Sequence, residues 1–366
     1  MTTPVTPNVE EIDAAAAAAA RARVDALTKP LGSLGRLEEL AVRLSAIAGR
    51  VVDRAYSAKA VLIGAADHGV TEEGVSAYPA EVTPQMVGAF LAGHAAINAI
   101  ARATGADVYV ADFGVRVASA PHPLLIDVAV RRGTENFARA GHAMTNDDVL
   151  AALDAGRTAL EAVLSRSPYD VIALGDMGIG NTTSAAALIA ALTGADASMV
   201  TGRGTGVDDA RLAHKREVIA RALSRLRDPA RSIGGASEAD KAMAAAASVG
   251  GLEIAGLAGA ILAAAERRIP IVLDGVIVTA AALLARSIAP NVTGYCIASH
   301  RSPEPAHAIA LEALGLQPLF DLQLRLGEGS GAALALPFVE AASRMIAEMK
   351  TFSEAGVATE TDSAQR

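Results

Sequence analysis

Residues 171–192 read VIALGDMGIGNTTSAAALIAAL. An apolar lead gives way to Gly175, Gly178 and Gly180, and Asn181, Thr182 and Thr183 then open an alanine-rich helical pattern. A strand that empties into a glycine loop and restarts as a helix is an anion trap. The first amides of a helix lack partners, and its dipole is positive there. Phosphate is the ligand such a loop suggests, through Gly178, Ile179, Gly180, Asn181 and Thr182. A tight strand-to-helix turn with no ligand is the plain alternative. The loop has no Gly-Lys-Ser/Thr. Gly178, Ile179 and Gly180 lead to Thr183, where a dinucleotide fingerprint has its third glycine. Neither an NTPase nor a dehydrogenase is supported.

Three further segments could carry chemistry. Thr201, Gly202, Arg203, Gly204, Thr205 and Gly206 form a second glycine cluster, after which Asp208 can cap a helix that carries Lys215. Lys215 is either a point charge for a phosphate or an ordinary solvated lysine. Glu328 lies in LRLGEGSG (324–331), fenced by glycines that allow a ligand close approach. It also suits the positive end of the helix that follows. That dipole would lower its pKa and burial would raise it; a general base at neutral pH needs burial to win. His68 has no second His or Cys at metal-ligand spacing nearby, so no metal is expected there. Tyr78 and Gln85 are candidates to contact a planar heterocycle, or simply to pack and cap.

The elements that must position these groups follow an alternating pattern. Apolar runs at 60–65, 107–111, 171–175, 271–274 and 292–298 read as strands, and 83–103, 182–192 and 276–288 read as helices between them. Strands that are apolar throughout and separated by helices predict an α/β fold, a parallel sheet covered by helices on both faces. Ligands of such a sheet sit beyond the carboxyl ends of its strands. Those ends carry Asp67 and His68, Asp112, Asp176, Asp274, and Ser299 and His300. The recurrence reads as a site, or as turn chemistry, since Asp and Gly favour turns. Residues 9–24, 34–47 and 331–349 read as helices with no strand between them. They predict a small helical domain made from both chain ends: 1–55 with 306–350, flanking an α/β domain at 56–305. Residues 351–366 are polar and predict a disordered tail.

Composition bounds the function. The chain has 366 residues, 52% of them hydrophobic and 20% charged, enough for a large core. A net charge of -8 argues against broad nucleic-acid binding. The first twenty residues lack the basic start of a secretory signal. Glu253, Asp274 and Arg286 interrupt the most apolar later stretches, which read as buried elements and not as membrane spans. The single cysteine, Cys296, excludes an intrachain disulfide and fits a reducing compartment, so a cytoplasmic protein is expected. With 3% aromatic residues and no Trp, an aromatic ligand must be held mainly by aliphatic groups and backbone.

Together, KPLGSLGRLEELA, ADHGV followed by EGVSAYPAEVTPQMV, GDMGIGNTTSAAA, TGRGTGVDD with Lys215 downstream, VLDGVIVTAAALL and LRLGEGSGAAL resemble one family in order and in combination. It is the nicotinate-nucleotide–dimethylbenzimidazole phosphoribosyltransferase family, and the resemblance runs from about Lys29 to the last helix. It implies transfer of phosphoribose from nicotinate mononucleotide to 5,6-dimethylbenzimidazole, giving α-ribazole 5′-phosphate and nicotinate. It implies a homodimer with an α/β domain and a small helical domain, with no cofactor and no metal. Glu328 matches the catalytic glutamate, which takes the proton from one benzimidazole nitrogen while the other attacks the ribose C1′. The 178–182 loop, Gly202 and Lys215 match the 5′-phosphate site. Asp176, at a position where Glu is found as often, and Asp274 would bond ribose hydroxyls or stabilise the developing cation. Ser76, Tyr78 and Gln85 match the region that contacts the benzimidazole. A nicotinate mononucleotide hydrolase and a non-catalytic nucleotide-binding protein of the same fold are the competing readings.

Overall fold

The computed structural model describes residues 7–204, 206–226 and 236–358. Among them, six strands form one parallel sheet: β1 (Lys59–Ala66), β2 (Ala106–Gly114), β3 (Leu125–Asp127), β4 (Val171–Met177), β5 (Ile271–Leu273) and β6 (Cys296–Ala298). Their order is β3-β2-β1-β4-β5-β6. The chain steps outward from β1 on one side and from β4 on the other. The direction of winding therefore reverses between β1 and β4, and it is beyond the carboxyl ends of two such strands that an open α/β sheet has its ligand crevice.

The helices, in chain order, are α1 (Ala14–Ala26), α2 (Arg36–Ala48), α3 (Val82–Leu91), α4 (Ala96–Thr104), α5 (Phe137–Ala140), α6 (Asn146–Leu164), α7 (Asn181–Thr193) and α8 (Ala197–Val200). Then come α9 (Asp209–Leu226), α10 (Glu238–Val249), α11 (Leu252–Glu266), α12 (Val276–Ile288), α13 (Pro305–Leu314), α14 (Ser330–Glu348) and α15 (Phe352–Ala355). Side chains alternate across a strand, and here both faces are covered. Ala60 and Leu62 of β1 face a core shared with α6, α7, α11 and α12; Val61 and Ile63 face a second core shared with α1 to α4 and α14. This is why the strands read as apolar throughout. The alanine and glycine excess has a packing role: a Cβ on Gly156 of α6 would stand 1.8 Å from the Gly256 carbonyl oxygen of α11. Two helix backbones touch there, and only small residues permit it.

Helices from both chain ends do meet: α1 packs on α2, and α2 on α14. α13 and α14, the helices of 306–350, pack against different cores. The buried Ala306, Ala310 and Leu311 of α13 belong to the first core, whereas Leu336 and Val339 of α14 belong to the second. The expected single helix at 83–103 is two, because Gly93 turns left-handed (φ 75) between α3 and α4. The apolar stretch Val82–Thr104 is long enough to cross a bilayer by length and composition, and this break divides it. The expected strand at 292–298 shortens to β6, because Pro290 opens a 3-10 turn, Pro290–Tyr295, ahead of it. The expected tail differs at its start: Thr351 pairs with Leu27 and caps α15. Residues 359–366 lie outside the described residues.

Candidate active site

The sequence places carboxylates at strand ends, and the sheet sorts them. Asp112 accepts the amides of Gly114 and Val115 and pairs with Arg132 at 2.8 Å, which is turn chemistry. Asp67 accepts the Arg116 amide. Asp176 and Asp274, on neighbouring β4 and just past β5, instead face the loop before α14. That loop runs through three left-handed residues: Gly327 (φ 84), Glu328 (φ 63) and Gly329 (φ 85). Glycine adopts this conformation freely, but Glu328 does so only under constraint from its surroundings.

The constraint comes from close packing. A Cβ on Gly175 of β4 would lie 2.5 Å from the Glu328 carbonyl carbon and 2.5 Å from the Gly329 nitrogen. The bare strand lets the loop settle on it. Asp274 holds the other side, accepting from Gly329 N (3.2 Å) and Ala332 N (3.0 Å), and so caps α14 from another element. His300 stands with Nδ1 3.8 Å from Asp274 Oδ1, in a space that a Cβ on Gly331 would fill.

Glu328 is 6% exposed, and its Oε2 accepts the Ile97 amide (3.3 Å) in the first turn of α4. Burial pushes its carboxyl above the ordinary range, the Ile97 bond opposes this, and the Asp274 charge adds to it. Burial is the largest of these causes, and the net direction is upward. Asp176 is pushed well above the ordinary range, by burial first and then by Asp274, Glu253 and Glu328; its bond from Asn181 (2.9 Å) opposes the shift. Its Oδ1 is buried with no hydrogen-bond partner among the described residues. A neutral acid there can donate to whatever fills the crevice. Asp274 is also raised by burial, against the pull of His300 and of the amides it accepts.

The glycine loop meets Lys215 as expected, but in a drier setting. Lys215 is fully buried and donates to Thr182 Oγ1 (2.9 Å) and the Gly202 carbonyl (3.3 Å), which removes the solvated-lysine alternative. Burial lowers its pKa to about 8, and Glu304 acts in the opposite sense. A Cβ on Gly204 would stand 2.6 Å from Thr182 Oγ1, so the second glycine cluster closes directly over the first. Thr205 lies outside the described residues. The Ile179 amide already bonds Thr83 Oγ1 (3.0 Å), and those of Asn181 and Thr183 close turns onto Gly178 and Gly180. Ile179 is therefore held in place and is not itself a free donor. The amides of Gly180 and Thr182 are the ones this helix start presents.

Ser76, Tyr78 and Gln85 sit on the loop before α3 and on α3 itself, which reaches the glycine loop through Thr83. Tyr78 is 55% exposed and Gln85 is exposed. Among the described residues, no group of three or more His, Cys, Asp or Glu could hold a metal ion.

Comparison with known proteins decides what these features belong to. A phosphoribosyltransferase family model, DBI_PRT, matches residues 9–357. The nicotinate-nucleotide–dimethylbenzimidazole phosphoribosyltransferase of Chloroflexus aurantiacus is 50% identical over 346 residues, 94% of this chain and 95% of its own length. That of Desulforudis audaxviator is 51% identical over 347 residues, 94% of this chain and 95% of its own length. The chain belongs to this family. The crystal structure of the family member from Thermus thermophilus is 48% identical, covers 95% of this chain and 100% of its own, and superposes with a TM-score of 0.86. Sequence reasoning about this phosphoribosyltransferase chain overlooked four groups that surround the crevice: Thr83, Glu253, His300 as a partner of Asp274, and Glu304, which accepts the Gly204 amide at 2.8 Å. Two of them left a legible trace: His300 stands among the strand-end residues, and Glu253 breaks an apolar run. A lone acid in such a run is rarely buried without a purpose.

Proposed function

We propose that the chain moves phosphoribose from nicotinate mononucleotide to 5,6-dimethylbenzimidazole, releasing nicotinate and α-ribazole 5′-phosphate. One observation carries the catalytic assignment: Glu328 is buried, left-handed and raised in pKa, at the mouth of the crevice where the sheet reverses. Its carboxylate takes the N–H proton of the benzimidazole, and the other ring nitrogen attacks C1′ of the ribose. The C1′–pyridinium bond breaks, its electron pair returns to the ring nitrogen, and the ring departs without its positive charge. Attack opposite to the departing ring converts the β anomer to the α anomer. A leaving group that becomes neutral needs no Lewis acid, so the proposed reaction is metal-free and cofactor-free.

Lys215, Thr182, Gly178, Gly180, Asn181 and Gly202 form the proposed phosphate site, with Ile179 fixing the loop. Asp176 is proposed as the group that meets the ribose, its free Oδ1 donating a hydrogen bond. Asp274, whose oxygens already serve Gly329 and Ala332, acts on the reaction by holding and polarising Glu328. The exposed ring of Tyr78, with Ser76 and Gln85, is proposed to flank the incoming base. We also propose a cytoplasmic homodimer acting on small molecules, with no nucleic-acid or membrane partner. The buried lone Cys296 suits a reducing compartment.

The deciding experiment incubates the protein with nicotinate mononucleotide, with and without 5,6-dimethylbenzimidazole. Nicotinate release that requires the base, matched by α-ribazole 5′-phosphate, is expected. Release that ignores the base means hydrolysis, and no release at all leaves a binding protein.

A further inference from the structure

Beneath the loop between β4 and α7 lies a buried pair that the chemistry above does not use. His68, just beyond β1, has Nε2 2.7 Å from Glu253 Oε1 and Nδ1 3.0 Å from Ser184 Oγ. Both side chains of the His68–Glu253 pair are fully shielded from solvent. Glu253 lies in the first turn of α11 and Ser184 in the first turn of α7. Facing a carboxylate acceptor Nε2 donates, and in a neutral ring Nδ1 then accepts from the Ser184 hydroxyl. One imidazole thus ties the end of β1 to the starts of two helices.

The ring also forms the floor of the glycine loop. A Cβ on Gly178 would lie 3.2 Å from the ring, one on Gly180 3.4 Å from His68 Cβ, and one on Gly251 2.3 Å from Cε1. Three bare backbones close around it. Stability alone does not account for such a pair. Glu253 Oε2 has no hydrogen-bond partner among the described residues, and an apolar cluster of equal volume would bury no charge. What a buried, hydrogen-bonded pair adds is a single defined arrangement of the elements it joins.

We propose that His68 and Glu253 are positioning residues for the mononucleotide: through Ser184 they fix the first turn of α7 and the 178–182 loop in the geometry that receives the 5′-phosphate, without touching the substrate. This rests on the reading of that loop as the phosphate site. The pair acts on where the amides of Gly180 and Thr182 point, so its effect falls on nucleotide affinity and leaves the base site alone.

The test varies each substrate separately in steady-state kinetics and follows each variant by thermal melting. His68→Ala and Glu253→Ala should raise the KM for nicotinate mononucleotide by about tenfold, the scale of one or two lost hydrogen bonds, with the KM for 5,6-dimethylbenzimidazole unchanged. Glu253→Gln keeps a carbonyl acceptor for Nε2–H and should restore the nucleotide KM. Ser184→Ala removes one hydroxyl, a smaller change whose folding the melting curve checks, and should raise the nucleotide KM in the same direction. Equal changes in both KM values, a lowered Tm with neither KM moved, or an unmoved nucleotide KM in Ser184→Ala would each overturn the proposal. Lys215→Ala separates the two layers. If it raises the nucleotide KM while Ser184→Ala does not, the phosphate site stands and the positioning role falls. If Lys215→Ala leaves that KM unmoved, the phosphate site itself is wrong.

Discussion

Glu328 combines a left-handed backbone, burial, and a carboxyl whose pKa burial raises above the ordinary range. Glu328→Gln keeps the shape and removes the base. It should lower kcat by about 10²–10⁴ with substrate KM values near those of the parent, and parental turnover would remove Glu328 from the mechanism. The raised pKa also has a pH signature. The base works ionised, so kcat/KM should fall as pH drops through a midpoint above the ordinary carboxylate value of 4.5. Asp274→Asn removes a neighbouring negative charge and should move that limb to lower pH; an unmoved limb would mean that Asp274 does not polarise Glu328. Lys215 predicts the opposite limb. Its pKa of about 8 means that the ammonium is lost as pH rises through that value, and nucleotide affinity should fall with it. In Lys215→Ala that alkaline limb should disappear, and affinity at neutral pH should weaken by about 1–3 kcal/mol.

At the scale of elements, the site depends on one loop lying directly on one strand. Gly175→Ala puts a methyl group 2.5 Å from the Glu328 backbone, so either the strand or the loop must shift. The expected cost is about 1–3 kcal/mol of stability, read as a lowered Tm, with kcat reduced far more than either KM. A variant with parental kcat would show that the loop can move without loss. This contact also marks where sequence reading stops. The strands, their ends and the glycine loop were legible because apolar runs and turn residues are local signals. Asp176, Lys215 and Glu328 could be picked out as single residues for the same reason. That Gly175 is bare to receive Glu328, that Asp274 caps α14, and that His68 meets Glu253 across 185 positions are long-range facts, made by elements far apart in the chain. β3 escaped notice because three residues are too few to show a period. The split of 83–103 turns on one glycine whose left-handed φ no pattern announces.

At the scale of the whole molecule, several large apolar side chains stand exposed. Leu31 (76% exposed), Leu322 (62%), Leu326 (55%) and Phe338 (45%) are among them. Arg36 donates to the Gln317 and Pro318 carbonyls, and the Phe338 ring lies 5.9 Å from that of Phe320. We propose that the homodimer buries apolar area through Leu322 and Leu326, four residues apart on one exposed stretch. Sedimentation should give twice the chain mass of 37.0 kDa, and Leu322→Asp with Leu326→Asp should give the single chain with its helical content kept. The assembly should also matter for chemistry. Leu326 stands two residues before Glu328, so an interface that covers it would clamp the loop holding the base. The monomeric variant should therefore lose kcat even though no residue of the crevice has changed, and the parent enzyme should lose specific activity on dilution through its dissociation range. Specific activity that stays constant where sedimentation finds only monomer would separate the interface from catalysis and leave Gly175 and Asp274 as the loop's supports.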